Sequence, residues 1–199
     1  MIIYLVGISC VGKTTIGRML AEKIGFTFYD LDDEVESYYE APIEVIQKEC
    51  FSMNGFRAKA SVVLDSLFNQ EGNLVVAGTP SGLRNSYLRV YKKYKKVKEI
   101  YSVHLVDTPE NILKRVVFFD EDSNPMEIEL TESLKKKYLI KIRGDFNYFK
   151  KSLERATIQV NIENIRIELI PDLIIEAIRS YNINFEKIQP ISILSSGYQ

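Results

Sequence analysis

The stretch LVGISCVGKTTIGRML, residues 5–20, decides the fold. It continues MIIYLV, an apolar run without alternation, which suits a strand buried on both faces of a parallel sheet. From Thr14 to Ile24 the period changes. Ile16, Met19, Leu20 and Ile24 fall on one side, and Arg18, Glu22 and Lys23 on another. The order is therefore strand, tight turn, helix, and the turn runs from Gly7 through Gly12 to Lys13 and Thr14. This is the pattern G-x-x-x-x-G-K-[ST] in the strand-to-helix context that gives it meaning. Glycines and small residues let backbone N–H groups converge on a polyphosphate, and the helix N-terminus adds its positive dipole end. Lys13 is placed to reach the β- and γ-phosphates, and Thr14 to ligate magnesium. The loop from Gly7 to Thr15, with Cys10 inside it, is expected to bind ATP with Mg2+.

Composition agrees with an enzyme domain of modest size. The chain has 199 residues, 46% of them hydrophobic, and a formal net charge of -1. That balance argues against a nucleic-acid or anionic-membrane partner. No apolar run approaches the roughly 20 residues of a membrane span. The first residues read as a strand and a phosphate loop rather than a secretory signal, so the cytosol is the expected place. Cys10 and Cys50 provide neither a disulfide framework nor metal-ligand spacing. Cys10 is read as a small loop filler in preference to an oxidation-sensitive thiol.

Further along, strands and helices alternate. FTFYDL at 26–31 is a second strand, with Asp30, Asp32 and Asp33 at its carboxyl end. Ligands of open parallel sheets bind at that end, where carboxylates hold magnesium or take a proton from a hydroxyl. Asp33 is read as the cap of the helix that follows. Residues 54–71 form an amphipathic helix that begins near Arg57, and NLVVAG at 73–78 is a buried strand running into Gly78, Thr79, Pro80, Ser81 and Gly82. EIYSVHLVD at 99–107 is another strand, followed by a helix capped by Thr108 that carries Arg115. Residues 118–130 read as irregular, and residues 131–156 as a helix or helix pair containing Arg143. TIQVNI and IPDLIIEAIRSY supply the last strand and helix. The expected architecture is a doubly wound α/β domain over 1–181, with a parallel sheet covered on both faces and a short lid at about 118–130. Residues 182–199 form a tail that is either loose or packed on a neighbouring copy, leaving monomer and homodimer open. The lysines of YKKYKKVK, residues 91–98, read as a solvated helix end, and His104 as a packed strand residue.

GKTTIGRMLAEKIGFTFYDLDDEVE, residues 12–36, resembles the opening of the shikimate kinases, relatives of the nucleoside monophosphate kinases. The similarity is dense over residues 2–36. Downstream it keeps its spacing at Phe56-Arg57, Gly78, Arg115 and Arg143. The resemblance implies a small-molecule kinase that uses ATP and Mg2+ on a small anionic acceptor. It implies that Lys13 and Asp32 are catalytic and that Gly7, Cys10, Gly12, Lys13, Thr14, Thr15 and Arg115 hold the nucleotide. Asp32, Arg57, Gly78 and Arg143 would hold the acceptor, the two arginines gripping its carboxylate, and Thr14 and Asp30 would face the metal.

Two departures from that pattern stand out. The family has three consecutive glycines where this chain has Gly78-Thr79-Pro80, and proline has no N–H to donate. The family's lid carries an arginine before a proline, whereas this lid reads Asp120-Glu121-Asp122-Ser123-Asn124-Pro125, with no arginine or lysine between Arg115 and Lys135. Both changes lie on the acceptor side. They leave open a related kinase with another acceptor, such as a sugar acid, polyol or nucleotide, and an ATP-binding module that has lost transfer. For shikimate they predict slow turnover, or none, with ATP binding preserved.

Overall fold

The computed structural model describes residues 1–119, 125, 126, 128 and 130–181. The expectations for Asp120–Asn124 and for the tail at 182–199 lie outside them. Five parallel strands form the sheet, in the order β2-β3-β1-β4-β7: β1 (Ile2–Val6), β2 (Thr27–Asp30), β3 (Leu74–Ala77), β4 (Ile100–Val106) and β7 (Ile158–Asn161). Every residue of β1 and β3 is buried, which explains their unbroken apolar runs. The sheet is covered by α1 (Lys13–Ile24), α2 (Leu31–Tyr39), α3 (Ile43–Glu49), α4 (Met53–Asn69), α5 (Asn85–Tyr94), α6 (Pro109–Leu113), α7 (Glu132–Leu153) and α8 (Ile170–Tyr181). One apolar cluster runs through the sheet and the inner faces of these helices. β1 lies centrally, beside both β3 and β4, so the order along the sheet reverses there. The crevice at its carboxyl end is where open α/β sheets bind ligands.

Several local expectations are corrected. The cap of α2 is Asp30, whose Oδ1 accepts from the Asp32 N–H at 3.0 Å, and not Asp33. Asp33 instead faces Arg18, at 3.6 Å on the surface. α6 is only five residues long, so Arg115 lies in the turn beyond it. Within the segment read as irregular, β5 (Phe118–Phe119) pairs antiparallel with β6 (Pro125–Met126). Phe118 meets Tyr138 of α7 edge-on at 5.0 Å between ring centres. α7 is one continuous helix. Its cap Thr131 accepts from the Leu134 N–H at 3.3 Å. α3 was missed, because its seven residues are too few for a periodic signal.

The two weak features behave as read. Lys93 pairs with Asp65 at 2.7 Å, and Lys98 donates to the Gln70 carbonyl at 2.6 Å, which holds the lysine-rich end of α5 on α4. His104 is half-buried in β4, and burial pushes its pKa down to about 4, so it stays neutral near pH 7.

Candidate active site

The site begins at the turn between β1 and α1. Gly12 has φ 105°, a left-handed conformation that a side chain would strain, and Cys10 has φ 60°. With these two residues turned, the chain passes from β1 into α1, whose N-terminus has no side-chain cap and leaves its first N–H groups for an anion. The Lys13 ammonium folds across the loop, donating to the carbonyls of Gly7 at 3.0 Å and Ile8 at 2.9 Å. Burial lowers its pKa, while Asp32 and Asp30 oppose that shift. Thr14 and Thr15 are exposed on the first turn, as is Cys10 within the loop.

The carboxyl end of β2 brings the acidic group against this loop. Asp30 accepts from the Thr14 hydroxyl through Oδ2, at 2.6 Å, while its other oxygen caps α2. The two residues assigned to the metal from sequence are therefore neighbours. They present hard oxygen donors of the kind magnesium takes beside phosphate. Asp32 lies one step further on. Burial raises its pKa to about 6, the negative Asp30 adds to the rise, and Lys13 opposes it. A carboxyl group tuned towards neutrality is suited to exchange a proton with an alcohol near pH 7.

On the acceptor side Arg57 is buried, 2% exposed, on α4. Its Nε donates to the Ser81 hydroxyl at 2.9 Å and its Nη1 to Asn54 Oδ1 at 3.0 Å. Asn85 Nδ2 donates to the same Asn54 oxygen at 2.7 Å. Arg57 also sits by the Tyr148 hydroxyl and holds its pKa below the ordinary tyrosine range. Tyr87, on α5, lies within the fields of both Asp32 and Arg57, although burial is the main cause of its raised pKa. Asp32 and Arg57 thus both lie near Tyr87.

Gly78 plays a different part from the one expected. Its N–H is spent on the Leu5 carbonyl at 2.9 Å, so it does not face an acceptor. What the position requires is room: a Cβ there would come within 2.7 Å of the Tyr4 ring. The turn closes through the Gly82 N–H to the Thr79 carbonyl at 3.0 Å. The Tyr4 hydroxyl is buried with no hydrogen-bond partner among the described residues, and the buried hydroxyls of Thr79 and Tyr87 face one another.

The remaining two arginines are separately neutralised. Arg115 is ion-paired with the buried Asp107 and reaches the Val11 carbonyl at 3.5 Å, which places it against the phosphate loop. Arg143 pairs with Glu110 of α6 at 2.8 Å. It lines a cavity of about 450 Å3 with Asp107, Thr108, Pro109, Phe146 and Asn147. The described contacts do not bring it to Arg57. Positions 143 and 148 are five residues apart on one helix, roughly 140° around its axis at 3.6 residues per turn, and the elements they meet differ accordingly. Sequence reasoning singled out Arg57 but missed the residues that hold it. Asn54 and Ser81 carried a signal only in their placement, one turn before the arginine and inside the glycine-rich turn.

A family model described as shikimate kinase matches residues 9–166. A shikimate kinase from Persephonella marina is 34% identical over 142 residues, spanning 68% of this chain and 82% of that protein. One from Acinetobacter baumannii (strain AYE) is 33% identical over 142 residues, spanning 71% and 74%. The crystal structure of shikimate kinase from Aquifex aeolicus superposes with a TM-score of 0.69 at 26% identity, covering 90% of this chain and 97% of that one. The chain belongs to the shikimate kinase family, and it is a small-molecule kinase of the P-loop type.

Proposed function

We propose that this kinase transfers the γ-phosphoryl group of ATP to a hydroxyl of shikimate. The observation that supports this reading most directly is Arg57. It is a buried guanidinium with no carboxylate partner among the described residues, and both it and Asp32 lie near Tyr87. A buried unpaired cation is costly unless an anion arrives to meet it. Shikimate brings a carboxylate for the arginine, and hydroxyls for Asp32 to bind and deprotonate. Lys13 draws charge from the transferring phosphoryl group, and its two loop carbonyls are exchanged for phosphate oxygens. The N–H groups of the loop and of the first turn of α1 hold the β- and γ-phosphates. Arg115 borders the nucleotide from the far side of Val11. Thr14 and Asp30 are the residues that would face Mg2+, whose contribution when bound is to neutralise phosphate charge. The remaining work is positioning, which the rigid strand ends supply.

Pro80 supports a second reading, in which a different hydroxylated acid is the acceptor, since it removes one N–H from the turn that faces the substrate. ATP consumption measured with shikimate and with a panel of hydroxylated acids tests both. Shikimate-dependent ADP formation is expected. Its absence, with turnover of another acid, would select the second reading.

A further inference from the structure

The end of α7 and the start of α5 enclose a cavity of about 320 Å3 that the proposed transfer does not use. Arg84, Lys150, Lys151 and Arg155 line it, with Asn85 and Asn147 beside them, and no carboxylate lies in its wall. Neither Arg57, Asp32 nor any residue of the phosphate loop lines it. Cations crowded into one wall repel each other unless something negative offsets them. The helix dipole accounts for the lysines only. Lys150 and Lys151 lie in the last turn of α7, where positive charge is favoured, and Lys150 has Glu154 at 4.0 Å. The two arginines are held differently. Arg84 is half-buried, with its guanidinium 4.1 Å from the centre of the Tyr148 ring and its Nη1 3.4 Å from the Tyr148 carbonyl. Arg155 lies beyond the end of α7, and its Nη1 donates to the Leu83 carbonyl at 3.2 Å. Both are fixed by neutral groups, neither has a carboxylate partner among the described residues, and each keeps N–H donors to spare. α5 begins at Asn85 without a side-chain cap, so the positive end of its dipole adds to the same field.

We propose that this cavity is a second anion site, separate from the nucleotide and the acceptor, which takes a small phosphate ester and acts as an effector site. A monocarboxylate would leave most of the charge in the wall unmet. A phosphate dianion brings three strong acceptor oxygens, and the planar guanidinium groups bind such oxygens in pairs. The volume lies at the small end of ligand cavities and suits a phosphate carrying a short carbon chain. The asparagine amides supply neutral donors for the remainder of the ester. A short run of hydrogen bonds links the cavity to the acceptor side. Ser152, in its wall, donates to the Ser81 carbonyl at 2.9 Å, and the Ser81 hydroxyl accepts from Arg57 Nε at 2.9 Å. A dianion in the cavity opposes the arrival of a second anion at Arg57, by like charge and through this shared turn. Occupancy therefore weakens acceptor binding. That consequence rests on the acceptor being the carboxylate proposed above; the anion site itself does not.

The probe is glycerol phosphate, titrated calorimetrically into the full chain at fixed ionic strength, with the phosphate loop saturated by a non-hydrolysable ATP analogue and Mg2+. One site is expected, with Kd of about 1 mM or tighter. Arg155→Gln should weaken it about 10-fold or more and Lys151→Gln about 3-fold or more, as expected for charge-assisted contacts. Both variants should keep the wild-type melting temperature within a few degrees and the wild-type KM for shikimate without probe. In steady-state kinetics the probe should raise the wild-type KM for shikimate about 5-fold and then reach a plateau, with KM for ATP unchanged. No binding at about 10 mM, wild-type affinity in both variants, or affinity lost in Arg57→Ala, which would put the probe in the acceptor site, would each overturn the proposal and leave the kinase reading intact. Tighter binding of a short single-stranded oligothymidylate in competition with the probe would overturn it as well, since the wall would then serve a nucleic-acid backbone. Binding with no change in KM for shikimate would overturn the effector role. A wild-type chain that binds the probe but does not phosphorylate shikimate would uphold the anion site and overturn the acceptor reading, together with the coupling that rests on it.

Discussion

Asp32→Asn should make the protein more stable while disabling it. In the folded chain the Asp32 carboxyl has its pKa raised to about 6, first by burial and then by the neighbouring Asp30. Its carboxylate accepts no hydrogen bond among the described residues, so asparagine loses no partner there. The rise from the ordinary 3.8 to about 6 corresponds to about 3 kcal/mol at roughly 1.4 kcal/mol per pH unit. Asp32 is only half-buried by surface, and solvent screening lowers the expected value to about 1–3 kcal/mol. The sign follows from proton linkage. Between about pH 4 and 6 the folded chain binds more protons than the unfolded one, so the carboxylate increasingly destabilises the fold as pH rises through that window. Above it the destabilisation is complete. Below about pH 4 both states carry a neutral acid and the effect vanishes. For a chain of this length about 1–3 kcal/mol is roughly 3–10 °C in melting temperature. The assay is thermal and urea unfolding of the metal-free, nucleotide-free protein in chelator, at pH 4.5 and pH 8. Asp32→Asn should melt higher at pH 8, with most of the gain lost at pH 4.5, and kcat should fall about 10²–10⁴-fold, the usual contribution of a general base. Equal gains at the two pH values, or no gain at pH 8, would show that Asp32 is not held in a charge-disfavouring site.

Other consequences follow from the same geometry. Lys13→Ala should remove most ATP affinity or turnover, since no other cation is described inside the loop; equilibrium dialysis with labelled ATP and a coupled ADP assay check it. Arg57→Ala should raise KM for shikimate about 100-fold or more with little change in KM for ATP, as seen in initial-rate measurements. It also strips Ser81 and Asn54 of a buried donor, so melting temperature should fall by several degrees. Tyr4→Phe should be neutral or stabilising by about 1 kcal/mol in urea unfolding, because the Tyr4 hydroxyl is buried without a described partner. Turnover with shikimate should lie below the ordinary kinase range of roughly 1–100 per second, because the lid sequence carries no cation between Arg115 and Lys135. A kcat inside that range would show that another positive group takes over the lid arginine's work.

The phosphate loop was legible in the residues alone. Its parts are contiguous: Gly7 to Thr15 lie on one turn, and the spacing of the glycines, Lys13 and Thr14 is itself the geometry. Buried parallel strands also declare themselves, since both faces of β1 and β3 need apolar side chains and nothing else accounts for such runs. Asp30 and Asp32 could be placed because they end a strand, and strand ends in this architecture face the ligand. The acceptor half is different. The residues proposed for it come from α2, α4, the turn after β3 and α7, and no sequence period links those segments. From sequence, the resemblance names Arg143 as the second arginine and does not single out Arg84. Only the packed structure shows that one is neutralised by Glu110 on one flank of α7, while the other lies against Tyr148 near Arg57. The same holds for Gly78, which sequence suggests as a donor and tertiary contact turns into clearance for the Tyr4 ring. A linear motif can specify a loop that binds through its own backbone. It cannot say which of several distant charges has found a partner, because that is decided by which helix faces meet.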